Sequence, residues 1–210
     1  MERIDVSFFD IGGVCLTNGW DVEARAAAKR QFGLADEAGE FEARHAEVVE
    51  AFERGELSLD EYLDRVVFYR SRPFGRDAFI EFMCAQSRPN DSVLSLVRSL
   101  AAAGVCRLAT INNESRALNR YRIDTFGLDG IFEAFFTSCY LGVSKPDPRI
   151  YAIALDVMQA DPARSVFVDD RVANVAAAGA AGMRTIHMTD SGRLPRGLFE
   201  AGVDAPFLRP

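Results

Sequence analysis

Four polar stretches carry the side chains best suited to chemistry, and each follows a short apolar run. Asp10 comes directly after Val6–Phe9, in FFDIGGV. Thr110, with Asn112 and Asn113, follows the run 105–109. Lys145 stands in the loop GVSKPDP beyond the run 131–136, and Asp169 and Asp170 follow the run 165–168. Carboxylates gathered in one place repel one another unless a cation sits among them. With no His or Cys pairing in the set, oxygen donors favour a hard ion such as Mg²⁺. Lys145 and Thr110 would supply a positive charge and a hydroxyl donor, groups suited to phosphate oxygens. One carboxylate can then attack phosphorus and form an aspartyl phosphate that water hydrolyses, the metal screening the repulsion between the two anions. Taken singly, each residue has a plain structural use: Asp as a helix cap or turn residue, Thr110 as a turn hydroxyl, Lys145 as a solvated loop cation. Their recurrence at successive strand ends is what favours a shared site.

Such a site needs strands that end side by side. After Pro89 the sequence alternates textures: 92–104, 114–128, 148–160 and 172–183 are helical in period, whereas 105–109, 131–136, 165–168 and 184–188 read as strands. Strands alternating with helices make right-handed βαβ units and a parallel sheet covered on both faces, with ligands bound outside the carboxyl ends of the strands. Val6–Phe9 has no partner nearby in sequence and joins that sheet, which leaves residues 17–88 as an insertion. From 22 to 87 the insertion is helical almost throughout, and Ser58 and Glu61 have the spacing of a capping box. The expected fold class is therefore α/β. A Rossmann-like doubly wound parallel sheet forms from residues 1–16 and 89–210, with an inserted helical cap domain at 17–88.

Composition agrees with this design. The 210 residues are 49% apolar and 26% charged, enough to bury a large core. A net charge of −7, without clustered Lys and Arg, argues against a broad nucleic-acid or anionic-membrane surface but leaves room for a small anionic ligand at a local site. Cys15, Cys84, Cys106 and Cys139 lie in or beside apolar segments with no C-x-x-C spacing, as reduced core thiols do. Only a short apolar run precedes Asp10 and no segment reaches about 20 apolar residues, so the expected location is cytoplasmic.

FFDIGGV, LATINN, GVSKPDPRIY and SVFVDDRVANV, in that order, resemble the four motifs of the haloacid dehalogenase superfamily of hydrolases. The resemblance covers the whole chain, with residues 17–88 where that family carries a four-helix cap. The wording of the last two stretches is most similar to the group that includes the α-glucose-1-phosphate phosphatases and the phosphatase domain of soluble epoxide hydrolase. It implies Asp10 as nucleophile and Mg²⁺ ligand, Thr110 and Lys145 holding the phosphoryl group, and Asp170 binding the metal with Asp169 beside it. Asn112 and Asn113 would line the mouth, with Gly13 and Trp20 as further candidates for substrate contact. A hinge or core aromatic is the plainer reading of Trp20. Asn174 falls where the family often supports its acidic loop, although a helix-surface Asn is equally ordinary. His45 and His187 read as structural, and Arg44 as a residue able to reach the crevice from the cap.

One position departs from the family pattern. Most phosphatases of this kind carry a second Asp two residues after the nucleophile, which protonates the leaving oxygen and offers its carbonyl to the metal; here that residue is Gly12. The carbonyl survives the change and the proton donor does not, at a typical cost of ~10² to 10⁴ in rate. Gly12 and Gly13 also suit a turn with unusual backbone angles. The leading expectation is a Mg²⁺-dependent phosphatase for a small phosphorylated metabolite, acting as a monomer or homodimer. The alternatives are a dehalogenase, whose halide leaves without a proton, and a weakly active or non-catalytic relative that binds a phosphorylated ligand.

Overall fold

The protein is described by a computed structural model covering residues 3–34 and 38–209; residues 1, 2 and 210 of the expected core and 35–37 of the expected cap lie outside the described set. Among the described residues five strands form one parallel sheet in the order β3-β2-β1-β4-β5. These are β1 (Val6–Phe9), β2 (Arg107–Asn112), β3 (Ala134–Thr137), β4 (Ser165–Asp169) and β5 (Arg184–His187). β1 lies at the centre, every residue buried, because its side chains must satisfy two covered faces at once.

Successive strand residues point to opposite faces, and the core splits accordingly. Phe9, Leu108, Val166 and Val168 pack with Val93, Val97 and Leu100 of α5 (Asp91–Ala103) and Leu194 and Leu198 of α10 (Leu194–Glu200). Val6, Phe8, Ala109, Ile111 and Phe167 pack with Ile150, Tyr151 and Ala154 of α8 (Pro148–Met158) and Ala178 of α9 (Val172–Ala180). The outer layer of the first half is completed by α6 (Arg116–Phe126), which stops at Gly127 in the left-handed region (φ 61°), and by the short α7 (Ser138–Leu141).

Between β1 and α5 the described residues of the insertion form four α-helices: α1 (Val22–Gln31), α2 (Ala38–Glu53), α3 (Leu59–Val66) and α4 (Arg76–Ala85). Asp21 caps α1 by accepting from the Ala24 N–H, and Ser58 and Glu61 close both halves of a capping box on α3. Phe41, Phe52, Tyr62, Leu63, Val66, Phe79 and Met83 form a separate aromatic-rich core, and Leu118 of α6 joins it from below. The two connecting segments run side by side. The Thr17 N–H donates to Arg88 O (2.9 Å), the Thr17 hydroxyl to Gln86 O (2.6 Å), and the Asn90 N–H to Cys15 O (2.9 Å).

β2 differs from the expected strand. The apolar run 105–109 suggested an end at Ala109, but pairing continues through Asn112, with Thr110 opposite Phe9 and Phe135, and Asn112 opposite Thr137. Pairing to β1 reaches Thr110 and pairing to β3 alone carries the strand on to Asn112, past the run read as its end. The described chain holds no helix long and apolar enough to cross a membrane. All four thiols are free, with Cys15 and Cys139 buried.

Candidate active site

Asp10 is the first residue beyond β1. Its N–H still donates to Val168 O (2.9 Å), so the backbone is held as rigidly as the strand while the side chain leaves the sheet; Oδ1 accepts from the Ile11 N–H (2.8 Å). Oδ2 meets Lys145 Nζ at 2.9 Å, and the same ammonium reaches Asp169 Oδ2 at 2.7 Å. Asn113 clasps the lysine's backbone, accepting from its N–H (2.8 Å) and donating to its carbonyl (2.9 Å). Asp169 is fully buried and saturated. Besides Lys145 it accepts from Asn174 Nδ2 (3.0 Å to each oxygen) and from the Arg171 N–H (2.8 Å). Asp169 is thus the anchor that aims Lys145 at Asp10, and Asn174 is the anchor's support.

Asp170 is different. Carboxylate oxygens of Asp10, Asp169 and Asp170 come within 4.8 Å of one another, yet among the described residues Asp170 Oδ1 is buried without a hydrogen-bond partner, and Oδ2 has only Asn18 Nδ2 at 3.5 Å. An orphaned buried carboxylate oxygen beside two more acids is expensive unless a cation supplies the missing charge. Gly13 makes the approach possible. It sits at φ 75°, and a Cβ there would overlap the Asp170 carboxylate. His187 donates from Nε2 to Asp170 O (3.0 Å) and so steadies the acid's backbone. Burial pushes the Asp10 carboxyl up; Lys145 opposes the rise, and Asp169 and Asp170 add to it. Asp10 and Asp170, with the carbonyl of Gly12 two residues after Asp10, are an oxygen-only donor set of the kind a hard divalent cation takes.

Above these strand ends lies a cavity of about 90 Å³. The core contributes Asp10, Gly12, Asn113, Lys145 and Asn174, and the insertion contributes Trp20, His45, Val49, Phe52 and Glu53. A wider groove of about 620 Å³ continues outward past Trp20, His45, Glu53 and Lys145 to Arg171 and Arg149. Asp10, Gly12, Trp20, Asn113 and Lys145, all named from sequence, meet here. Thr110 does not. It lies within β2 between Ala109 and Ile111, on the opposite face of the sheet from those two, and is absent from the cavity wall. Asn112 is likewise turned inward, accepting from the Thr137 hydroxyl (3.0 Å) and donating to Asn119 Oδ1 (3.3 Å). Both departures follow from the longer β2. Gly13 lies under Asp170 instead of facing the cavity. Trp20 forms wall but is not free to stack, since its ring packs edge-on against Phe79 (5.7 Å) and its N–H donates to Tyr62 OH (2.8 Å). Arg44 pairs with Glu40 and lies over Tyr69, away from the cavity.

Several wall residues had no sequence signal. His45 is 8% exposed, with Nδ1 at 2.7 Å from Tyr62 OH. The same hydroxyl accepts from Trp20 Nε1 (2.8 Å), so ring, hydroxyl and indole form one connected chain. Burial, with Arg25 nearby, pushes His45 down to about 4, so the ring is neutral. Arg122 is 1% exposed. It pairs with Glu114 (2.9 Å) and donates to Ser87 Oγ (3.1 Å) and Asn18 O (3.0 Å), tying both connecting segments to α6. Nothing in the local pattern distinguishes Arg122 from a surface arginine, because its partners are distant in sequence.

The family model described as a haloacid dehalogenase-like hydrolase matches residues 4–182. A sesquiterpene phosphatase from Aspergillus oryzae is 29% identical over 187 residues, 88% of this chain and 90% of that protein. Flavin mononucleotide hydrolase 1 from Arabidopsis thaliana is 28% identical over 169 residues, 78% of this chain and 65% of that protein. Among solved structures, an enzyme of the same family from Bacteroides thetaiotaomicron, in complex with magnesium and inorganic phosphate, superposes with a TM-score of 0.74. It is 18% identical, over 99% of this chain and 100% of that one.

Proposed function

The chain belongs to the haloacid dehalogenase-like hydrolase family, and from that premise we propose that it is a phosphatase in which Asp10 is the nucleophile toward a small phosphorylated metabolite. The observation that carries this reading is the pairing of Asp10 with Lys145 at 2.9 Å beside an Asp170 oxygen that has no hydrogen-bond partner among the described residues. A nucleophile toward a phosphate dianion needs positive charge on the reacting oxygens, and Lys145 provides it from a position fixed by Asp169 and Asn113. Asp10 and Asp170, with the Gly12 carbonyl, would hold Mg²⁺; when bound, that ion screens the repulsion between carboxylate and phosphate. Asp10 forms the new bond to phosphorus as the ester oxygen leaves. Water then attacks the aspartyl phosphate and frees both phosphate and Asp10.

The relatives suggest which compounds to assay: terpenyl phosphates and flavin mononucleotide, alongside sugar and short alkyl phosphates. The apolar wall of Trp20, Val49, Phe52 and Leu118 suits a substrate with a greasy segment next to its phosphate. Phosphate release should depend on Mg²⁺, and Asp10→Asn should lower it by about 10³-fold or more. Comparable turnover by the variant would sink the proposal. One observation favours a second reading, dehalogenation: a halide needs no proton, which Gly12 cannot give. Chelator-resistant halide release from a 2-haloacid, with no phosphate release, would establish it.

A further inference from the structure

We propose that Glu53 of the insertion is the general acid that protonates the leaving oxygen, taking over from the absent carboxyl at position 12. The proposal rests on the phosphatase reading and deepens it. Glu53 is the last residue of α2, and it lines the cavity together with Asp10, Gly12 and Lys145. Its place is set from both sides. The Ser138 hydroxyl donates to Glu53 O at 2.6 Å, and Gly55, at φ 73°, lies so close to Cys139 that a Cβ would overlap that carbonyl. Phe52 beside it is stacked on Tyr62 at 4.3 Å. The turn is therefore docked on α7 of the core, and the carboxyl is presented to the cavity by a rigid support.

Nothing structural accounts for an acid there. Among the described residues its carboxyl makes no hydrogen bond or ion pair, unlike Arg54 next to it, which pairs with Glu50 and Glu56. A carboxylate at a helix C-terminus also faces the negative end of the helix dipole. The groups around it pull both ways. Burial and Glu114 hold the Glu53 proton on, with Glu50 of its own helix adding to this, while Arg171 and Lys145 oppose; the outcome is a carboxyl pushed up to about 7. That is the range in which an acid can give a proton and take one back near neutrality. Position 12 itself offers no such group: an ideal Cβ there would stand 3.4 Å from Asn18 Oδ1 and 3.6 Å from Arg122 Nη1.

The step balances. As an Asp10 oxygen bonds to phosphorus and the ester P–O bond breaks, the Glu53 proton passes to the departing oxygen and the alcohol leaves neutral. Water attacks the aspartyl phosphate and its protons leave with the phosphate, while Glu53, now a carboxylate, regains its proton from solvent. Breaking of the Asp10–phosphorus bond frees Asp10.

The test compares Glu53→Gln with wild type on an alkyl phosphate, whose leaving group needs a proton, and on p-nitrophenyl phosphate, whose leaving group does not. Turnover of the alkyl ester should fall by ~10² to 10⁴, while that of the nitrophenyl ester changes little. In wild type, turnover of the alkyl ester should fall as pH rises through about 7, and Glu53→Gln should abolish that limb. Equal losses on both esters, or an unchanged pH profile, would overturn the role of Glu53 and leave the phosphatase reading standing if Asp10→Asn is inactive. A wild-type protein that turns over neither ester overturns both. Should Glu53→Gln fail to fold, the wild-type pH profiles on the two esters decide alone.

Discussion

His45 shows how one buried side chain links cavity chemistry to stability. The chain from Trp20 Nε1 through Tyr62 OH to His45 Nδ1 fixes the ring at a cavity wall. Its neutrality has a consequence for folding. The histidine titrates near 6.5 when unfolded and near 4 when folded, so as pH falls from 6.5 the unfolded state takes up a proton first. Stability is full above about 6.5, declines through this window and levels off below 4. The contribution is at most about 3 kcal/mol. Thermal denaturation between pH 7 and 4.5 should show that slope, and His45→Gln should flatten it. An unchanged slope would mean that other groups cause it.

At the scale of elements, β2 and the connecting segments carry the main lessons. β2 outlasts its apolar run, so Thr110 sits inside a strand and Asn113 takes the place at the crevice. Hydrophobic patterning marks where a strand is covered, whereas backbone pairing, here to β3, decides where it ends. The join between core and insertion depends on Arg122, whose guanidinium meets Glu114, Ser87 and Asn18 at once. Gly19, at φ 72°, leaves the room the guanidinium occupies. Removing one partner of a buried pair strands the other's charge, so Arg122→Met should cost about 3 to 5 kcal/mol in chemical denaturation. Adding Glu114→Gln should recover a good part of that loss. A double variant as unstable as the sum of the two single variants would show the pair to be uncoupled.

At the scale of the molecule, the carboxyl ends of the central strands supply the charges and the insertion supplies the wall above them. The acidic cluster is costly when bare, and a cation that binds the folded protein alone must stabilise it. Millimolar Mg²⁺ should raise the melting temperature by a few degrees, about 2 to 4 °C for each kcal/mol of binding linkage. Asp170→Asn should remove most of that rise, because it takes away the charge on the one acid of the cluster with an unpartnered buried oxygen. An equal rise in the variant would place the ion elsewhere. The α/β class, the order of the four motifs and the positions of Asp10, Lys145, Asp169 and Asp170 could all be read from the chain. Each depends on short-range pattern: an apolar run, the polar residue that follows it, and the alternation of strand with helix. The division of labour between Asp169 and Asp170, the inward turn of Thr110 and Asn112, the clamp at Arg122 and the place of Glu53 in the cavity could not. The first two depend on how strands and helices pack within the core and the last two on how the insertion docks upon it, and no local pattern encodes either juxtaposition.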